Sequence, residues 1–300
     1  MINNNLRVFI RAAERGSFTQ AAGELYISQP AVSRAVKALE EELQVSLFYR
    51  DKRSGLTLTD AGQKILLLAR QMADLESRIR QEAFRTNNLL SGRVRIASLP
   101  ILTSVFLAKA VCRFQARYPQ VSVELLEGSS SEIRQAVEEH RADLGFASSP
   151  FGHLDSYAVF TDRMVSISRD ISPPDTPLDL HGGTAKYIMC RAGYETVSAE
   201  LKKNAINPDR CLVVQQAESV VSFVKEGSGI GIISELVLSV IPNDLPRRPL
   251  NPPIQMEMGI IANDLSDLPP AAAVLLQTLK EVCSEYAQAR KTLNTNTPAG

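Results

Sequence analysis

The sequence predicts a protein that is α/β overall, with an all-α amino-terminal part, one long helix and then a two-lobed α/β region. Three observations carry this. Residues 17–43 read as two helices joined by a tight turn, the second of them two-faced. Residues 60–88 keep an apolar heptad spacing with no proline among them. From residue 93 onward strand-like and helix-like runs alternate, the pattern of a largely parallel sheet covered by helices.

A first helix is expected around Leu6, Phe9, Ile10 and Ala13, ended by Gly16. Thr19 is placed to open a short helix containing Ala21, Ala22 and Leu25, and Ser28 to cap the longer one, with Pro30 in its first turn. In that second helix Val32, Val36, Leu39 and Leu43 share an inward face. Gln29, Ser33 and Lys37 fall on the opposite row with Arg34 beside them, all able to hydrogen-bond to bases or phosphates. A small-residue helix, a short turn and a two-faced helix make a helix-turn-helix. Beyond it, Leu47 to Tyr49 and Leu56 to Leu58 flank Arg50, Asp51, Lys52, Arg53, Ser54 and Gly55, which predicts a hairpin with a basic tip, a wing. On this reading Gln29, Ser33 and Arg34 meet base edges, Ser28 and Lys37 hold phosphates beside Pro30, and Arg50, Lys52 and Arg53 anchor the wing on the DNA backbone or minor groove. The plainer alternative is a helical hairpin whose polar face is simply solvated.

Bulk charge does not choose between them. Lys plus Arg and Asp plus Glu are 33 each in 300 residues, and residues 1–60 hold eight basic and seven acidic side chains, because Glu40, Glu41 and Glu42 offset the wing. A DNA-binding surface therefore needs its cations on one side and the acidic triplet elsewhere. With 44% hydrophobic and 22% charged residues the chain can form a proper core.

The long helix is expected from about Asp60 to Asn88, capped by Thr59, with Gly62 as its weak point. Ile65, Leu68, Met72, Leu75 and Ile79 form its seam. A helix of about 28 residues extends about 42 Å. Its seam packs either on the chain's own globular part or, the favoured reading, on the same helix of a second subunit.

After Asn87 to Gly92 the segments alternate: strands at Val94 to Ala97, Val121 to Leu126 and Leu144 to Ala147, with helices at Thr103 to Tyr118 and Ser130 to His140. A second series follows, with strands at Tyr187 to Met189, Leu212 to Val214 and Ile230 to Ile233, and helices at Tyr194 to Asn204 and Ala217 to Lys225. Two such series predict two lobes, crossed by the chain near Asp162 to Val165 and again near Met256 to Ile261. Ligands of such sheets lie at the carboxyl ends of strands. That rule selects Ser98, Thr103, Ser129, Ser130, Phe146 and Ala147 on one lobe and Arg191, Tyr194 and Gln215 on the other. Their hydroxyls, backbone N–H groups and guanidinium suit a small carboxylate or similar polar anion. Taken singly, Thr103, Ser129 and Ser130 can equally be helix caps, and Arg191 a surface cation.

The run Ala21-Ala22, Ser28-Gln29-Pro30-Ala31-Val32-Ser33, Leu39-Glu40, Leu47-Phe48, Arg50, Leu58-Thr59 and Ala61-Gly62 resembles the amino-terminal domain of LysR-type transcriptional regulators. Gln44 departs from the pattern, which commonly has a glycine there, and the departure bears on how the second helix ends. The resemblance extends, more thinly, over most of the chain after Gly92. It implies a winged helix-turn-helix DNA-binding domain at 1–59, a dimerising linker helix at 60–90 and an effector-binding domain at 91–300. The last has a two-lobed fold like that of type 2 periplasmic binding proteins, with lobe I at about 93–162 and 262–290 and lobe II at about 163–261. Operator DNA, a small-molecule inducer, a second copy of the chain with pairing into tetramers, and RNA polymerase in the case of an activator are the implied partners.

No cofactor or metal is expected. Cys112, Cys190, Cys211 and Cys283 are far apart with no CxxC, and His140, His153 and His181 have no ligand spacing. Gly227-Ser-Gly229-Ile-Gly231 precedes a strand rather than a helix, the reverse of dinucleotide binding, and reads as a close-packed turn. Ser222 and Lys225 form an SxxK spacing without its companion motifs, and Cys190 has no nearby histidine in sequence. An enzyme and a plain solute-binding protein are the rival functions. The first lacks a nucleophile and base; the second lacks an export signal, the start being polar. No apolar run is long enough to cross a bilayer, so a cytoplasmic regulator rather than a membrane protein is expected.

Overall fold

The computed structural model describes residues 3–49, 56–85, 90–169, 176–181, 186–203 and 211–295. They form two compact units, residues 1–92 with 139–141, and residues 93–138 with 142–300.

In the first unit α1 (Asn4–Arg15) runs from an Asn3 cap to a left-handed Gly16, and α2 (Phe18–Leu25) is capped by Ser17, whose Oγ accepts the Gln20 N–H at 3.3 Å. The cap is thus two residues before the expected Thr19, because Ser17 is the last extended residue before the helix. α3 (Gln29–Leu43) starts from Ser28 as expected, with Pro30 in its first turn. It ends at Gln44 in the left-handed conformation, φ 55° and ψ 32°. Glutamine thus takes the glycine's conformation, and its side-chain amide donates to the Glu41 carbonyl at 2.7 Å, offsetting part of the roughly 1–2 kcal/mol that a left-handed L-residue costs.

Val32, Val36 and Leu39 are buried against Val8, Phe9, Ala12, Ala21, Ala22, Leu47 and Phe48, while Leu43 at the helix end is exposed. Phe9 and Phe18 each meet the Phe48 ring edge-on, with centroids 5.6 Å apart. The wing's base is present: Phe48 bridges Leu58, the Tyr49 N–H donates to Thr57 O at 2.9 Å and the Thr59 N–H to Leu47 O at 3.0 Å. Its tip, Arg50 to Gly55 with Arg50, Lys52 and Arg53, lies outside the described residues.

α4 (Asp60–Arg85) starts where Thr59 Oγ1 accepts the Gly62 N–H at 2.9 Å. Gly62 is what lets the helix approach the wing: a Cβ there would lie 2.2 Å from the Leu47 carbonyl oxygen. Ile65 packs on this unit's own core beside buried Leu66, so the solvent-facing seam begins after it, at Leu67 and Leu68. On the opposite side buried Arg70 faces Glu14 of α1, Nε to carboxylate 3.8 Å, and burial lowers the guanidinium's pKa.

The second unit contains β1 (Gly92–Ser98), β2 (Val121–Glu127), β3 (Leu144–Ser148), β4 (Asp155–Ile167), β5 (Leu178–Asp179), β6 (Tyr187–Cys190), β7 (Cys211–Val214), β8 (Ile230–Ser234), β9 (Arg247–Asn251) and β10 (Gln255–Ala262). The strands follow one another in the order β2-β1-β3-β10-β4-β8-β6-β7, with β9 pairing β4 and β5. β1 and β3 are parallel, as are β6 with β7 and β6 with β8; β10 and β4 run against them. Helices α5 (Pro100–Leu102), α6 (Ala108–Arg117), α7 (Ser130–Glu138), α8 (Arg191–Lys203), α9 (Ala217–Lys225), α10 (Glu235–Val240) and α11 (Pro270–Thr295) connect or follow the strands, and a π-helical turn, Thr103–Leu107, joins α5 to α6.

Two lobes share β4. Its residues up to Arg163 pair with β10 in lobe I, and those from Met164 pair with β8 in lobe II. The second crossing falls at Asn251 to Gln255, earlier than the expected Met256 to Ile261, because β10 from Gln255 onward already pairs with lobe I strands. Gly229, at φ 155°, turns the chain into β8, where a Cβ would lie 2.3 Å from Lys186 O. The glycine-rich run is therefore a close-packed turn.

Candidate nucleic-acid interface and effector cleft

α3 turns Val32, Val36 and Leu39 inward, which leaves Gln29, Pro30, Arg34 and Lys37 exposed and Ser33 half-buried on its other side, with Ser28 exposed at the cap. Ser28 Oγ accepts the Ala31 N–H at 3.4 Å, so its first duty is to cap. Arg34 has no ion-pair partner among the described residues. Lys37 lies 3.4 Å from Glu41, both side chains 66% exposed, a pairing that solvent screens and a phosphate can displace.

Of the acidic triplet, Glu41 is the partner of Lys37, Glu42 is exposed and Glu40 is half-buried. Glu40 Oε1 turns back to accept the N–H groups of Leu47 at 2.7 Å and Phe48 at 3.4 Å, so one of the three carboxylates serves the wing's entry. One exposed residue of this surface was missed by periodicity. Tyr26, 95% exposed, sits left-handed in the turn between α2 and α3. The signal was its place just before Ser28, where the turn must be tight.

On α4 the side chains of Leu67, Leu68, Met72, Leu75 and Ile79 are exposed, Ile79 at 71%. Four of the five expected seam residues thus share a solvent-facing apolar row, and Ile65 does not.

At the strand ends of lobe I most polar groups already have partners. Ser98 is fully buried and donates to Leu99 O at 3.1 Å; Thr103 Oγ1 donates to the same oxygen at 3.3 Å. Ser129 caps α7 in a reciprocal box with Glu132: its N–H and Oγ donate to Glu132 Oε2 at 2.7 and 2.8 Å, and the Glu132 N–H donates back to Oγ at 3.4 Å. Ser130 Oγ pairs with Ser148 Oγ at 2.8 Å and accepts the Ser148 N–H. Phe146 and Ala147 are fully buried. Ser98, Phe146 and Ala147 are therefore covered and offer no surface to a ligand in this arrangement.

Lobe II contributes exposed Arg191, half-buried Tyr194 and exposed Gln215. Ile101 of lobe I packs on the lobe II core, as does Cys190. Burial pushes the Cys190 thiol's pKa up, against the N–H groups of Gly193 and Ala192, so it is a poor nucleophile. Among the described residues no group of three His, Cys, Asp or Glu side chains could hold a metal, and no helix is long and apolar enough to cross a membrane.

The sequence matches the family described as bacterial regulatory helix-turn-helix protein, lysR family, over residues 3–63, and the LysR substrate binding domain over residues 87–284. The chain belongs to the LysR family of transcriptional regulators. Among relatives of this LysR-type regulator, the HTH-type transcriptional regulator YoaU of Bacillus subtilis (strain 168) is 40% identical over 283 residues, covering 93% of this chain and 98% of that one. The transcriptional activator IlvY of Salmonella typhimurium (strain LT2) is 28% identical over 257 residues, 81% of this chain and 86% of its own. A full-length OxyR variant from Pseudomonas aeruginosa shares the fold at TM-score 0.69 and 20% identity, covering 92% of this chain and 96% of that one. CbnR complexed with its target DNA does so at TM-score 0.58 and 21% identity, covering 94% and 100%. The family and these relatives are regulators of transcription rather than enzymes.

Proposed function

We propose that this regulator binds operator DNA as a homodimer, two of which pair into a tetramer, and that a small polar metabolite in the cleft between the effector lobes controls it. The partition follows: residues 1–59 bind DNA, residues 60–90 pair with a second copy, and residues 91–300 receive the effector. The exposed Arg34, without an ion-pair partner among the described residues on a helix whose other face is buried, supports the DNA reading most directly. A guanidinium in the major groove can donate two parallel bonds to guanine O6 and N7. Gln29 and Ser33 read neighbouring bases; Ser28, Pro30 and Lys37 lie along the phosphates; and Arg50, Lys52 and Arg53 anchor the wing.

The solvent-facing row Leu68, Met72, Leu75 and Ile79 supports pairing along α4, since apolar residues at heptad spacing gain most by burial against a partner helix. In the cleft, Thr103 and Ser129 from lobe I and Arg191, Tyr194 and Gln215 from lobe II are the residues proposed to meet the effector, with Ser98, Ser130, Phe146 and Ala147 shaping the wall behind them. Arg191 favours a carboxylate or similar anion at the lobe II end. A ligand shifts the assembly only by its different affinity for two arrangements, so closure must change how the lobes meet neighbouring subunits. The work of a regulator of this kind lies in the cytoplasm, with RNA polymerase as a further partner where it activates.

The test is a binding series on the purified full chain. Thermal shift against small carboxylates and aromatic acids should identify an effector, which at 100 times its dissociation constant adds about 2.7 kcal/mol of stability. That ligand should then alter the operator footprint. An unchanged footprint at saturation overturns the coupling.

A further inference from the structure

The strand that crosses between the lobes carries a buried carboxylate that neither the DNA nor the effector reading uses. β4 pairs with β10 as far as Arg163, opposite Gln255, and with β8 from Met164, opposite Ser234. Asp162 therefore stands where the strand changes partners, and it is 3% exposed. Its Oδ2 accepts the Ser234 hydroxyl, and its Oδ1 accepts the N–H of Arg163 at 2.9 Å and of Leu236 at 3.2 Å. Ser234 ends β8 and caps α10, its Oγ accepting the Val237 N–H at 3.2 Å. Alongside, the Arg163 guanidinium donates to both carboxylate oxygens of Glu235, at 2.8 and 2.7 Å. Two consecutive residues of the crossing strand thus hold Ser234, Glu235 and Leu236, the corner at which lobe II turns from sheet to helix.

We propose that Asp162 is the positioning residue of the hinge: its carboxylate clasps the β8–α10 corner and fixes the angle at which the second lobe leaves the crossing strand. Hinges are a few residues that absorb a change of backbone angle. The ladders on either side leave β4 little freedom, so the adjustable contacts are those between its side chains and the corner. A buried carboxylate with three donors makes charge-assisted bonds, which weaken together when the charge is lost. The inference matters for regulation only if the lobes receive an effector, and it rests on that reading.

The charged groups facing Asp162 are Arg163 from its own strand and Glu235 from α10; β8 presents the neutral Ser234 hydroxyl, and the register partner on β10 is Met256. Burial raises the carboxyl's pKa, and the repulsion of Glu235 adds to this, while the hydroxyl and the two N–H donors lower it.

Amide hydrogen exchange on the full chain, followed across pH and corrected for intrinsic rates, tests the clasp. In the wild type, protection at Leu236 and Val237 should fall as acid protonates Asp162. D162N should lower that protection on the order of tenfold near neutral pH and flatten the profile. S234A should move the midpoint to higher pH and E235Q to lower pH, a pair of opposed shifts that loss of packing alone would not produce. Wild-type protection in D162N, or unmoved midpoints in S234A and E235Q, overturns the proposal; should D162N not fold, the two midpoints decide. Failure of every small molecule to stabilise the chain would instead sink the effector reading and leave the exchange result standing.

Discussion

The Glu40 carboxylate accepts the Leu47 N–H at 2.7 Å and so ties the last turns of α3 to the base of the wing. This bond fixes the wing's base relative to the helix proposed to enter the groove. Removing the carboxylate leaves two part-buried N–H groups, those of Leu47 and Phe48, with a lost partner. E40A should therefore destabilise the amino-terminal unit by about 1–3 kcal/mol. Urea unfolding reads this directly, and operator affinity should fall even though Glu40 itself is acidic. A gain in affinity on removing the negative charge would show that net charge outweighs wing placement.

Arg34 and Lys37 should behave differently on the same helix. R34A is expected to cost about 1–3 kcal/mol at the true operator and little on random duplex, since a base-edge contact carries sequence information. K37A should weaken all duplexes alike and reduce the salt slope by about one. Its effect is moderated because the free protein already pairs Lys37 with Glu41 at 3.4 Å. Fluorescence anisotropy across a salt series separates the two, and equal losses on both DNAs for R34A would count against base reading.

The exposed row on α4 makes a third case. Leu75 and Ile79 have more than half their surface in solvent within one chain, so a charge there should leave the fold of the chain intact. L75E and I79E should instead yield monomers in sedimentation and lose operator affinity, because each charge would have to be buried against the partner helix. Dimers of wild-type mass from both variants would refute pairing along this seam.

What could be read from the sequence was what is local. Ser28 as cap and Val32, Val36 and Leu39 as buried face follow from spacing along one helix, and all are found so. Ile65 was harder, since a heptad places it on the seam while this early part of α4 packs on the core that contains Phe48. Gln44 needed the side-chain bond to Glu41 O to be seen before its left-handed backbone made sense. In the effector region strand ends were legible to within a residue, but which side chains face outward there was not: Ser98 ends β1 and Phe146 and Ala147 lie just before the end of β3, yet all three are fully buried. The bond of Asp162 to Ser234 joins residues 72 apart, and no periodicity points to such a pair.

The acid limb of stability should be set in part by Glu285 on α11, whose Oε1 accepts from Arg113 at 2.5 Å and whose Oε2 accepts from Lys109 at 2.9 Å, both donors lying on α6. The Arg113 bond, with Lys109's, holds the Glu285 pKa down to about 2, from an ordinary value of 4.5. Because the folded value is the lower one, the unfolded chain binds the proton more tightly. The stabilisation is therefore complete above about pH 4.5 and is lost as pH falls through the window toward about 2. E285Q removes this contribution, so the gap in melting temperature between wild type and E285Q should be constant near neutrality and close progressively below pH 4.5. The groups are exposed, so added salt should shrink the gap at every pH. A gap that persists undiminished at the acid end would assign the effect of the substitution to packing of α11 on α6 and not to the ion pairs.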